Sequence, residues 1–503
     1  MFRYYTLLTV FFCFFSGTFA SSQDVEKSDE PKETPLEEVV VETQHSMQVN
    51  GASLDYTARA GTIVMREEEG KAKASVFYVA YSKTGIEDTS TRPVTFSFNG
   101  GPGSSSVWLH LGAFGPKRVL MDKEGHPLPP PCTLVENEHT LLELTDLVFI
   151  DPVTTGFSRP APGEDPKQFH GVTEDLESVG DFIRLFVSRD NRWNSPKFLA
   201  GESYGTTRAA GLSGYLQDRH GLYLNGIILV SSVLDFQTLI FDPANDLPYF
   251  LYLPSYTATA WYHKKLSPDL QKDLHQTLAE AEAFALDGYA MALLKGDRLG
   301  SERMKIVETL ARYTGLSEKY IEQSNLRIEL HRFAKELLRD ESRTVGRLDS
   351  RFKGIDRDSV GERFEYDPSY AVIQGAYTAA MNDYLGRELN YQSDLPYEIL
   401  TDRVDPWNFG PAQNRYLNVA ETLRKSMTQN PHLRIFVASG YYDLATPYMA
   451  TRYTFDHMAL DPELARNVTM RDYEAGHMMY IREASLVRMK KDLAEFINSA
   501  LNQ

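Results

Sequence analysis

Gly201-Glu202-Ser203-Tyr204-Gly205 sets a serine between two glycines. Before it stands a short apolar run at 197–199, and after it a helical pattern at 206–217. A sharp strand-to-helix turn crowds the backbone around such a serine; flanking glycines relieve the clash and leave Oγ exposed. A serine hydroxyl is a weak nucleophile until a base takes its proton, and the base needs an acid to fix its tautomer. The pattern predicts covalent acyl chemistry, with a histidine and a carboxylate further along the chain.

Twelve histidines reduce quickly if the partners follow in the order serine, acid, histidine. The apolar run at 434–438 predicts a strand from whose end the acid should emerge. Asp443, reached through Gly440-Tyr441-Tyr442, is the one carboxylate close behind it; Asp456, Asp461 and Asp472 fall in a helix, a loop and a strand. Only His457 and His477 lie beyond that strand. His457 falls inside a helical stretch at 447–458, whereas His477, in Ala475-Gly476-His477-Met478, sits in a loop between a strand and a helix. Asp443 alone would read as a turn residue or a helix cap. Ser203, Asp443 and His477, in that order and each at a strand end, read as a triad.

The negative charge of a tetrahedral intermediate needs N–H donors. Tyr204 supplies one from its backbone. The glycine-rich loop Asn99-Gly100-Gly101-Pro102-Gly103, directly after the predicted strand Val94–Phe98, is expected to supply the second. It has neither G-x-G-x-x-G spacing nor Gly-Lys-Ser/Thr, which argues against a phosphate cradle. No H-E-x-x-H occurs and no histidines form a convincing ligand pair, so neither a metal nor a cofactor is expected.

Four motifs together resemble the serine carboxypeptidase family: Asn99–Gly103 with Ser104-Ser105, Asp151-Pro152-Val153…Gly156-Phe157-Ser158, Gly201–Gly205, and Gly476-His477-Met478. They span residues 93–480. The resemblance implies an α/β-hydrolase fold with Ser203, Asp443 and His477 as triad and Gly101 and Tyr204 as the oxyanion hole. It also implies that Asn99, Glu202 and the Gly100 N–H bind the carboxylate at the end of a peptide. Two carboxyls share a close hydrogen bond only when one is protonated, so Glu202 should have a raised pKa and peptides should turn over better in acid. Three departures stand out. The family's tryptophan is Ser97 here, its cysteine after the glycine run is Ser104, and a second acidic residue of its carboxylate-binding network is Ala113. The expected activity is removal of C-terminal residues from peptides with a free C-terminus. An esterase or acyltransferase on the same machinery, and a non-catalytic binding protein on a hydrolase scaffold, are the alternatives.

The elements that must position these residues alternate. Apolar runs at Val94–Phe98, 147–150, 197–199 and 227–233 are separated by helical patterns such as 173–187, which predicts a mostly parallel central sheet covered on both faces. A hairpin is expected over 62–65 and 74–81. Residues 235–405 read as a large helical cap insertion, with an independent second domain as the alternative, so the core is expected over 56–234 and 406–503. Within the second part a helix is expected at 412–427, a strand at Val468–Tyr473 and a helix at Glu483–Leu501.

The chain has 503 residues, 42% of them hydrophobic, two cysteines and a formal charge of −17. This is too apolar for a disordered chain and too poor in cysteine for a disulfide scaffold. The acidic balance argues against nucleic-acid binding, because phosphates need a basic face. It should also push Glu202 further toward its neutral form. Residues 1–20 read as a secretory signal, with an apolar run far short of the ~20 residues a membrane span needs. Cleavage would remove Arg3 and Cys13, taking the charge to −18 and leaving Cys132 alone. That pattern favours an exported, periplasmic or extracellular protein of a bacterial envelope. Residues 21–55 are expected to form an acidic disordered lead-in.

Overall fold

A computed structural model of the protein describes residues 36–502. Its main sheet contains β1 (Val40–Val49), β2 (Ala52–Arg66), β3 (Ala72–Lys83), β4 (Val94–Phe98), β5 (Asp146–Ile150), β6 (Lys197–Ser203), β7 (Gly226–Ser232), β8 (Arg434–Gly440) and β9 (Val468–Tyr473). The order across the sheet is β1-β2-β3-β5-β4-β6-β7-β8-β9. From β5 to β9 every pairing is parallel, while β1, β2 and β3 add an antiparallel edge. The short segment Arg159–Pro160 also pairs with β3.

The parallel strands are apolar on both faces because helices cover both. In β7, Ile228 and Val230 enter one core and Ile227 and Leu229 the other. The helices Val172–Arg189, Tyr204–His220 and Ala420–Gln429 bury side chains in the second core, and Glu483–Leu501 buries Leu493, Phe496 and Ile497 in the first. The expected hairpin is present and longer than its apolar centre, with β2 and β3 closing around 67–71.

Two expectations are corrected. The lead-in is not unstructured throughout 21–55: β1 begins at Val40 and pairs with β2 from Val40↔Gly61 to Val49↔Ala52. Asn50 and Gly51 both have positive φ, the geometry of a tight two-residue hairpin turn. Met47 and Val49 are buried in the core, so apolar burial outweighs the acidic composition of the preceding stretch. The helix expected at 412–427 starts late. Gly410–Ala412 forms a single 3₁₀ turn, and the helix begins at Ala420, whose N–H is accepted by the Asn418 side chain at 3.0 Å.

Between β7 and β8 the chain is mainly helical; its helices from Leu247–Tyr262 to Leu330–Glu336 surround a third apolar cluster that also takes in Leu444, Tyr448 and Met449 from beyond β8, while Pro368–Arg387 packs into the first core. Residues 37–502 cluster as one unit with this block included. Its last stretch is bound to core loops: Thr401 N–H donates to the Gly103 carbonyl at 2.9 Å and Gly156 N–H to the Glu398 carbonyl at 2.8 Å. No helix among the described residues is long and apolar enough to cross a membrane.

Candidate active site

Ser203 closes β6 and caps the helix Tyr204–His220 with φ 59° and ψ −128°. A non-glycine residue is strained there and persists only because its surroundings fix it. The glycines are required on steric grounds: a Cβ on Gly201 would collide with the Gly205 carbonyl, and one on Gly100 with the Tyr204 nitrogen. The glycine-rich loop and the Ser203 turn therefore touch backbone to backbone. As the first residue of its helix, Tyr204 has an N–H without an intrahelical acceptor. Arg208, fully buried one turn on, pairs with Asp175 at 2.7 Å and donates to the Asn99 carbonyl, tying the two segments together.

Asp443 follows β8 and is completely buried. One of its oxygens accepts the Ala445 and Thr446 N–H groups at 2.7 and 3.0 Å. The other accepts the Thr446 hydroxyl at 2.6 Å and lies 2.7 Å from His477 Nδ1. The proton on Nδ1 is assigned from that contact, which leaves Nε2 unprotonated. Burial opposes charging His477, but the Asp443 charge and hydrogen bond outweigh it and its pKa is raised. His457, by contrast, ends the helix Tyr448–Asp456 on the surface, stacked on Tyr453.

Glu202, next to Ser203 in the turn, is buried. It accepts from Asn99 Nδ2 at 3.1 Å and from the Tyr480 hydroxyl at 2.6 Å. Burial pushes its pKa up to about 7, partly offset by the charge of His477 and these hydrogen bonds. The direction agrees with the sequence reading, and its cause is local desolvation. Asn99 is itself fixed, its oxygen accepting the Leu109 N–H at 3.1 Å. Ser203, His477, Asn99, Gly100, Gly101 and Glu202 all line one cavity of about 380 Å³, walled by apolar groups such as Trp108, Tyr370, Ile373 and Leu400.

The three departures have distinct structural consequences. Ser97 Oγ is buried without a hydrogen bond. Ser104 accepts from Trp108 Nε1 at 2.8 Å and donates toward the Ile399 carbonyl at 3.2 Å, so hydrogen bonds hold this turn. Cys132 is the one cysteine among the described residues and is free. Ala113 is buried beside Gly112, where a Cβ would meet the Tyr480 ring and the Tyr377 hydroxyl. Besides Asn99, the partner of Glu202 is a phenol, Tyr480, and no sequence pattern marked it.

Sequence reasoning also missed the segment 347–351 of the helical block. The Leu348 carbonyl accepts the His477 N–H at 2.7 Å, and Asp349 accepts the Gly476 N–H at 3.1 Å. The Arg347 carbonyl accepts the Leu444 N–H, and Ser350 N–H donates to the Tyr442 carbonyl, both at 3.0 Å. The loops carrying Asp443 and His477 are stitched to the same five residues. No group of side chains suited to hold a metal occurs among the described residues.

A family model described as serine carboxypeptidase matches residues 53–491. The chain belongs to the serine carboxypeptidase family. Its class is that of a serine-type carboxypeptidase, a hydrolase. Two similar proteins of Arabidopsis thaliana are serine carboxypeptidase-like 34, 25% identical over 424 residues and covering 80% of this chain and 74% of its own, and serine carboxypeptidase-like 27, 22% identical over 423 residues and covering 81% and 78%. Among solved structures, Kex1(delta)p, a prohormone-processing carboxypeptidase from Saccharomyces cerevisiae, superposes with a TM-score of 0.55 at 16% identity, covering 88% of this chain and 91% of its own. That likeness bears out the expected α/β-hydrolase fold.

Proposed function

We propose that the protein is an exported serine carboxypeptidase that removes C-terminal residues from peptides through Ser203, His477 and Asp443. The observation that carries this reading is the 2.7 Å contact of Asp443 with His477 Nδ1, with Ser203 at a strained turn lining the same cavity as His477. Ser203 Oγ attacks the last peptide carbonyl while His477 Nε2 takes its proton. Asp443 holds the imidazole and offsets the imidazolium charge. The Gly101 and Tyr204 N–H groups receive the developing oxyanion. His477 then protonates the departing amine, and water, activated by the same histidine, hydrolyses the acyl-enzyme.

Asn99, the Gly100 N–H and a protonated Glu202 hold the substrate's terminal carboxylate. A neutral Glu202 donates a hydrogen bond to that carboxylate, whereas an ionised one repels it, so its pKa of about 7 favours peptides in acid. Ester hydrolysis or acyl transfer on the same machinery is the second reading, drawn from Ala113 standing where the family has a further acid for the terminal carboxylate. The signal-like segment 1–20, outside the described residues, supports export, and the single cysteine left after its removal favours a bacterial envelope. Comparing turnover of free-acid and C-terminally amidated peptides tests the reading. Free-acid peptides should lose residues from the C-terminus, and equal turnover of amides would remove the carboxypeptidase assignment.

A further inference from the structure

Arg347 lines the cavity that holds Ser203 and His477, and its guanidinium donates no hydrogen bond to any described residue. Its Nε forms a loose ion pair with Asp367 Oδ2, 3.7 Å away and beyond hydrogen-bond reach. Asp367 lines the same cavity, and its hydrogen bonds all go to its other oxygen, leaving Oδ2 without one. Its Oδ1 accepts the Arg347 and Ser369 N–H groups at 3.0 Å each and the Ser369 hydroxyl at 2.5 Å, capping the helix Pro368–Arg387. The Arg347 side chain remains 40% exposed, with its two terminal nitrogens free to donate.

The backbone of Arg347 is fixed by contrast. Its N–H is held by Asp367 and its carbonyl by Leu444, next to Asp443, while the neighbouring Leu348 carbonyl holds His477. The charge is close enough to His477 to act against its protonation. Apolar groups also line the cavity, among them Leu348, Tyr370 and Ile373. A guanidinium on a fixed backbone, held only by a loose ion pair and making no hydrogen bond, matches a carboxylate, which it can receive in a two-pronged hydrogen bond.

We propose that Arg347 is a specificity-determining residue that binds an acidic side chain, Asp or Glu, of the substrate residue flanking the scissile bond. This rests on the carboxypeptidase reading, in which Asn99, Gly100 and Glu202 already serve the terminal carboxylate, so Arg347 meets a second one. Peptides with such a side chain gain a charge-assisted hydrogen bond in a partly desolvated cleft.

The test compares kcat/KM for free-acid peptides that differ only by Glu or Gln at the last or the penultimate position. The wild-type protein should favour Glu at one of these positions by roughly ten-fold or more. Arg347→Gln should bring that ratio to about one, Arg347→Lys should keep part of it, and Arg347→Glu should turn the preference toward Lys. The two main-chain hydrogen bonds of residue 347 survive all three substitutions, and matched melting temperatures establish folding. Equal use of Glu and Gln by the wild type overturns the proposal. So does an Arg347→Gln variant that keeps the ratio, or one whose loss follows free acid against amide instead of the side chain, which would move Arg347 to the terminal carboxylate. If the wild type releases no C-terminal residue from any peptide, the carboxypeptidase reading itself fails, and this inference with it.

Discussion

Replacing Glu202 by Gln removes one buried titration and keeps both of its hydrogen bonds: the amide oxygen accepts from Asn99, and the amide N–H₂ donates to Tyr480. Burial raises the Glu202 pKa from 4.5 to about 7, which corresponds to about 3 kcal/mol against the charged form. The sign follows from proton uptake. Between pH 4.5 and about 7 the folded protein binds a proton that the unfolded chain releases, so this group's contribution falls as pH rises and is fully unfavourable above about 7. Glu202→Gln should therefore match the wild type near pH 4.5 and become more stable by up to about 3 kcal/mol above pH 8. Melting temperatures of the two proteins from pH 4.5 to 8.5 give the difference curve, in which titrations common to both cancel. The same substitution should flatten the pH dependence of KM for free-acid peptides and leave simple esters little changed. A stability difference that is constant across pH, or a variant less stable at pH 8, would refute burial as the origin of the shift.

Two further outcomes are expected, one from the site's geometry and one from the sequence. The Tyr480 hydroxyl helps hold the Glu202 pKa down, so Tyr480→Phe should move the pH midpoint of peptide KM upward from about 7, read from KM profiles for free-acid peptides. Export predicts a mature N-terminus at or near Ser21 after expression in a secreting host, read by intact mass; an unprocessed Met1 would contradict it.

The proposed triad was legible because each member sits at or just beyond the end of a strand of the parallel sheet, and strand ends are marked locally by apolar runs that break into loop residues. Ser203, Asp443 and His477 need only that pattern and their order. The strand β1 was equally marked, by alternation over 40–49 and by Asn50-Gly51, but the acidic run before it dominated the composition. The surroundings of the site were not legible. Tyr480 meets Glu202 across 278 positions, and the Asp349 to Gly476 contact spans 127; no local period encodes such pairings. The helical block could be read as helical, but its docking depends on apolar faces shared with Leu444, Tyr448 and Met449 from beyond β8.

The most direct measurement is mass-spectrometric mapping of products from one peptide offered as free acid and as amide, with wild type and Ser203→Ala side by side. The account predicts a C-terminal ladder from the free acid with the wild type, little from the amide, and none from either with the variant. A ladder that persists in Ser203→Ala, or internal cleavage of both peptides alike, would contradict it.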